Sequence, residues 1–179
     1  VCSSDLVNAT ALDSVNDVDV VCLVIDATKP FGKGDQWVAS HLDLPNAILI
    51  LNDYNNIEYG DQNQHFINIA NAVKNQGAPI DAVGAQAHAT FRIPTSAVQQ
   101  MITNLARETG LPVYISEYDI NQADEGKQAD VMKSQFTMFW NHSAVKGITL
   151  WGYVVGATWM PNTGLMSESG QKKPAMDWL

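Results

Sequence analysis

Four short apolar runs recur at intervals of about 31–35 residues, and nothing else constrains this chain as strongly. They are AILIL (Ala47–Leu51), DAVGAQ (Asp81–Gln86), PVYIS (Pro112–Ser116) and GITLW (Gly147–Trp151). The interval is the length of a strand, a crossover helix and a turn. Each run is almost continuously apolar, as expected for parallel strands covered on both faces. Helical patterns fill the gaps. Asp61–Gly77 places Phe66, Ile69, Ala70 and Val73 on one face, with Asp61 to cap its start and Gly77 to end it. Pro94–Gly110 does the same with Val98, Met101, Ile102 and Leu105, capped by Thr95 or Ser96 and stopped by Gly110. A third helix is expected over about Gly126–Trp140. The fold class is therefore α/β, built from consecutive β/α units.

A doubly wound sheet and part of a (β/α)8 barrel both meet this pattern. Asn52 and Asp53, Gln86 and His88, Glu117 and Asp119, and Trp151 all follow the C-terminal ends of successive strands. A barrel brings those ends to one mouth, so the expectation is a partial TIM barrel of four to five β/α units. The first 44 residues are less regular. VDVVCLVI (Val18–Ile25) reads as a strand, and Gln36–Leu42 carries only a weak helical pattern. Residues 1–44 are thus expected to be a disordered or aberrant segment with one candidate strand, and 45–179 to be the barrel part.

Composition narrows the partners. With 46% apolar residues the chain can bury a core, and its formal charge of -9 argues against nucleic acid or an anionic membrane surface. No apolar run reaches the roughly 18 residues of a membrane span. Cys2 and Cys22 are the only cysteines, too few for a disulfide framework or a metal cluster.

The chemistry concentrates in GLPVYISEYDI (Gly110–Ile120). A strand that delivers Glu117 to a barrel mouth holds a carboxylate on rigid backbone, suited to a nucleophile or general base. An isolated strand-end Glu is more often a surface residue. Asp119 falls on the same side under period-two alternation. Asp119 is placed to orient His88, leaving the other ring nitrogen for Glu117. A metal held by His88, Glu117 and Asp119 is the competing reading, ranked lower because no second His or Cys stands at ligand spacing. No metal and no cofactor is called for. LNDYN (Leu51–Asn55) is by itself an ordinary Asn/Asp turn. Trp151 reads as packing and Trp159, in a glycine-rich loop, as a sugar platform. Trp37 and Trp178 read as packing.

Taken together, these stretches resemble glycoside hydrolase family 10, the β-1,4-xylanases. GLPVYISEYDI resembles the family's active-site signature, and LNDYN its N-D-Y-N. GAQAH (Gly84–His88) resembles its G-x-Q-x-H, and LWGYVVGATW (Leu150–Trp159) its W-G segment with a second Trp eight residues on. TGLMSESGQKKPAM (Thr163–Met176) resembles its closing K-P-A stretch. The resemblance covers about residues 45–179 and implies retaining hydrolysis of xylan by a secreted enzyme, with xylan or xylooligosaccharides as partner. It implies Glu117 as nucleophile, His88 and Asp119 as its support, and Trp151 and Trp159 as glycone-side subsites. Gln86, Asn52 and Tyr54 would line the cleft.

Retention needs a second carboxyl about 5–5.5 Å away. The family's W-D-V-V-N-E is matched by Asp19, Val20 and Val21, but Cys22 stands for Asn and Leu23 for the catalytic Glu. The pattern's abrupt loss and its recovery at PNAILIL have the form of a reading-frame error or an assembly scar. Val155 also replaces an Asp often found in the Trp loop. The expectation is a fragment lacking its acid/base, hence inactive or very slow, and marginally stable or associating as a half barrel. A non-catalytic β-1,4-glycan-binding barrel and another retaining β-glycanase are the alternatives.

Overall fold

The computed structural model describes residues 20–23 and 48–179. Its sheet holds five parallel strands: β1 (Val20–Leu23), β2 (Ile48–Asp53), β3 (Ala82–Ala85), β4 (Val113–Tyr118) and β5 (Val145–Leu150). Their spatial order is their chain order. A doubly wound sheet reverses direction at a switch point; this described sheet does not, which is the order of a barrel segment. β1 falls inside the expected Val18–Ile25 strand. The rest of the irregular N-terminal segment, with its Gln36–Leu42 pattern and Trp37, lies outside the described residues.

Between the strands run α1 (Gly60–Asn75), a single 3-10 turn (Thr90–Arg92), α2 (Thr95–Thr109) and α3 (Glu125–Asn141); α4 (Pro174–Trp178) follows β5. The helix bodies match the sequence pattern, while two starts differ. Tyr59 occupies the N-cap of α1, and Asp61 lies within the first turn, where it still faces the positive end of the helix dipole. Pro94 occupies the N-cap of α2 with φ -59° and ψ 139°, so neither Thr95 nor Ser96 caps it. Thr95 hydrogen-bonds Ser134 on α3 instead, at 2.7 Å. Asp124 caps α3 by accepting the Lys127 amide at 3.0 Å. Gly110 ends α2 in the left-handed region, as its position predicts.

The core lies between sheet and helices. Val113, Ile115 and Tyr118 of β4 are fully buried, as are Val98, Ile102 and Leu105 of α2 and Phe139 of α3. β3 is buried along its whole length. The expectation of cover on both faces fails for β5, none of whose residues is buried. It ends the described sheet and has a paired neighbour on one side only.

One in-register row crosses the sheet: Asn52, Gly84, Tyr114, Gly147. Large and absent side chains alternate, and the fit is close. A Cβ on Gly147 would lie 2.7 Å from the Tyr114 ring. Layers filled from alternate strands are how a small parallel barrel packs its interior.

A register shift then bends β4. Ile115 pairs with Ile148 and Tyr118 with Leu150, so three steps on β4 oppose two on β5. A bulge of this kind re-aims side chains. Ser116 and Glu117 are consecutive, yet both reach Asn52 on β2, whereas Tyr118 turns back into the helix layer, edge-on to Phe139 at 5.2 Å between centroids.

Candidate active site

Each element contributes to the site from its C-terminal end. β2 brings Asn52, whose Nδ2 donates to Glu117 Oε1 at 3.3 Å and whose Oδ1 accepts from Ser116 Oγ at 2.7 Å. The turn after β3 brings His88, with Nε2 3.3 Å from Glu117 Oε2. Its Nδ1 lies 3.2 Å from Asp119 Oδ2, an ion-pair contact without hydrogen-bond alignment. Trp159 Nε1 donates to the same Asp119 oxygen. The Asp119 side chain is buried, and its Oδ1 has no hydrogen-bond partner among the described residues.

These contacts set the electrostatics. Burial is the largest single influence on His88 and works against its charged form. The neighbouring carboxylates, Asp119 and then Glu117, together outweigh it, and the His88 pKa lies above its ordinary value. The two carboxylates thus favour the protonated form of the imidazole.

The structure thus brings Asn52, His88, Glu117 and Asp119 into one contact network, together with Trp159. Gln86, Tyr54, His88, Trp151 and Trp159 line an adjoining cleft of about 490 Å³. His88 belongs to both; Glu117, Asp119 and Asn52 are not among the lining residues. Asn52, expected to line the cleft, directs its amide at Glu117 and Ser116 instead. Trp151 and Trp159 are about half exposed and stand beside the imidazole, with ring centroids 6.2 Å and 4.8 Å away. Packing is therefore too small a role for Trp151. Trp178 meets Phe136 edge-on. Among the described residues no three His, Cys, Asp or Glu side chains are placed to hold a metal ion, and no helix is long and apolar enough to cross a membrane.

Two supports have no counterpart in the sequence reading. Gln135, buried on α3, accepts from Tyr118 OH at 3.0 Å and Thr90 Oγ1 at 2.9 Å, and donates to Thr90 O at 2.7 Å. It ties the residue after Glu117 to the turn that carries His88. The signal was available: Gln128, Met132, Gln135 and Phe139 recur at helical spacing, and a glutamine on a buried stripe needs partners. Glu58 is buried in the loop after β2, accepting the Ile57 and Ala89 amides. A loop carboxylate without periodicity gives no such signal.

Comparison with known proteins gives the family and the fold. Residues 37–179 match the model of glycosyl hydrolase family 10. Endo-1,4-β-xylanase B of Cellvibrio japonicus (strain Ueda107) is 42% identical over 172 residues, 90% of this chain and 28% of that protein. Endo-1,4-β-xylanase B of Thermotoga neapolitana is 33% identical over 125 residues, 65% of this chain and 36% of that protein. The crystal structure of xylanase 10B from Thermotoga petrophila RKU-1 in complex with xylobiose superposes with a TM-score of 0.75. It does so at 24% identity, over 99% of this chain and 65% of that one, and supports the fold. The chain is a partial (β/α)8 barrel that spans 28% and 36% of the two xylanase B relatives.

Proposed function

The chain belongs to glycosyl hydrolase family 10, and on that premise we propose that it is the C-terminal part of a retaining endo-1,4-β-xylanase whose nucleophile is Glu117. The observation that carries this is the seating of one carboxylate on two donors, Asn52 Nδ2 and His88 Nε2, beside a cleft flanked by two exposed indoles. A Glu117 oxygen attacks the anomeric carbon, the glycosidic C–O bond breaks, and the leaving oxygen takes a proton from an acid. His88 holds the carboxylate aimed, and Asp119 holds His88. Trp151 and Trp159 offer flat apolar faces to xylose rings, each buried Å² contributing about 25 cal/mol. Tyr54 and Gln86 supply polar contacts along the cleft. Because xylan is a polymer, the reading places the enzyme outside the cell.

The acid/base is the missing part. Leu23 stands where the family resemblance implies the catalytic Glu, on β1, in register with Leu51 of β2. Without general acid–base catalysis, cleavage of a natural glycoside slows about 10²–10⁴-fold. An aryl xylobioside with a dinitrophenolate leaving group departs without a proton, so Glu117 can still be glycosylated. Hydrolysis of that intermediate needs a base to activate water, so it stalls. The purified chain should release one equivalent of dinitrophenolate in a burst, and azide, a nucleophile that needs no base, should restore turnover. Release with no burst and no azide response would overturn the assignment. Xylohexaose binding seen by tryptophan fluorescence without any release would favour the glycan-binding alternative, which the exposed indoles and Leu23 motivate.

A further inference from the structure

The turn that carries His88 is strained. Buried Ala87 has φ 66°, a region that costs a residue with a Cβ about 1–2 kcal/mol. Such a conformation persists only where its surroundings fix it. One fixing contact is local: Thr90 Oγ1 donates to Ala87 O at 3.0 Å. Another comes from a different loop. Glu58, 4% exposed, accepts the Ala89 amide through Oε1 at 3.3 Å and the Ile57 amide through Oε2 at 3.1 Å. Two further bonds tie loop to strand: Asn56 Nδ2 donates to Gly84 O of β3 at 2.8 Å, and the Gln86 amide to Asp53 O of β2 at 3.2 Å. Of these three bonds only that of Glu58 runs from loop to loop, and it grips the residue next to His88.

We propose that Glu58 is a positioning residue for the nucleophile: by accepting the Ala89 amide, its buried carboxylate fixes the imidazole between Glu117 and Asp119. This rests on the reading of Glu117 as nucleophile. Among the described residues the titratable groups in contact with His88 are Glu117 of β4 and Asp119 just after it. Glu58 is the charged neighbour from the β2 loop, and Arg92, Tyr54 and Tyr59 share the cleft. Burial makes Glu58 easier to protonate than an ordinary Glu, opposed by the Ala89 and Ile57 amides and by His88.

Three variants of the full chain test this. Glu58→Gln keeps an acceptor for Ala89, Glu58→Asp withdraws it by one methylene, and Glu58→Met fills the space without one. Two readouts are used: the NMR titration midpoint of the His88 ring and the rate of the dinitrophenolate burst. In Glu58→Met and Glu58→Asp the midpoint should fall toward about 6.5, and the burst should slow at least about tenfold. Glu58→Gln, whose one amide oxygen still accepts from Ala89 although the Ile57 bond is lost, should stay closer to wild type in both than the other two. Should Glu58→Met not fold, the Asp and Gln variants decide. Unchanged readouts in folded Glu58→Met or Glu58→Asp, or a Gln variant as impaired as the others, would overturn the proposal. If the wild type gives no burst, the functional reading fails, and the His88 titration still judges Glu58 alone.

Discussion

Adding one methyl group at Gly84 should break the Asn52–Glu117 contact without altering either residue. A Cβ there would overlap Asn52 Oδ1 and come within 3.0 Å of Asn52 Cγ and 3.0 Å of Ile50 Cγ2. Ile50 is buried within β2, so the Asn52 amide is the group that moves. Moving it removes the 3.3 Å bond to Glu117 and the 2.7 Å bond from Ser116. A hydrogen bond to a charged group contributes about 1.5–3 kcal/mol and a neutral one about 0.5–1.5. Both bonds are partly exposed, so the lower end applies, about 2 kcal/mol together. Restriction of the unfolded chain on replacing glycine offsets about 0.4–1 kcal/mol. Gly84→Ala should therefore cost about 1–2 kcal/mol. Asn52→Ala loses the same two bonds, about 2 kcal/mol, and vacates the space the new Cβ needs. The double variant should then be no less stable than Asn52→Ala alone, a favourable coupling of about 1–2 kcal/mol. Urea denaturation of the four proteins at one pH measures it. Additivity of the two single effects within about 0.5 kcal/mol would refute the close-fitting row of side chains described here.

Other expectations follow from neighbouring contacts. Because the folded pKa of His88 is raised, its contribution to stability is full below the unfolded value of about 6.5 and is lost as pH rises through the folded value. The stability gap between wild type and His88→Gln should accordingly be larger at pH 5.5 than at pH 9, as thermal unfolding at about those two values will show; a gap that grows with pH would reverse the sign. Trp159→Phe deprives buried Asp119 of its indole donor and should cost about 1–3 kcal/mol in urea, more than the same change at Trp151. Gln135→Leu leaves buried Tyr118 OH without an acceptor, while Thr90 Oγ1 keeps Ala87 O, at about 1–3 kcal/mol, whereas Tyr118→Phe removes only that donor for about 0.5–1.5; equal losses would contradict the network.

The strands and helix bodies were legible because burial imposes a period, and the period survives in the residues. Phe66, Ala70 and Val73, or Val98, Ile102 and Leu105, can be read off by spacing alone. Helix starts were less legible. Pro94 and Tyr59 enter the helices through backbone geometry, so the polar residues expected to cap them are free for other bonds. The meeting of His88, Glu117 and Asp119 followed from strand-end position. What carried no sequence signature was the bulge at Ser116–Glu117, a register mismatch set by pairing with β5. Nor did the left-handed Ala87, or Glu58, whose partners are backbone amides from two loops. Contacts to backbone leave no complementary residue to find. Leu23 is legible only as a mismatch, since its meaning depends on what that position must do.

The most direct test of the account is to find where a glycosyl group becomes bonded. A 2-deoxy-2-fluoro xylobioside with a dinitrophenolate leaving group forms a glycosyl-enzyme that persists, and peptide mass spectrometry locates it. The account predicts one added xylobiosyl unit per chain, on the peptide containing Glu117, and none in Glu117→Gln. A label on another carboxylate, or no label from a folded chain that binds xylooligosaccharide, would contradict it.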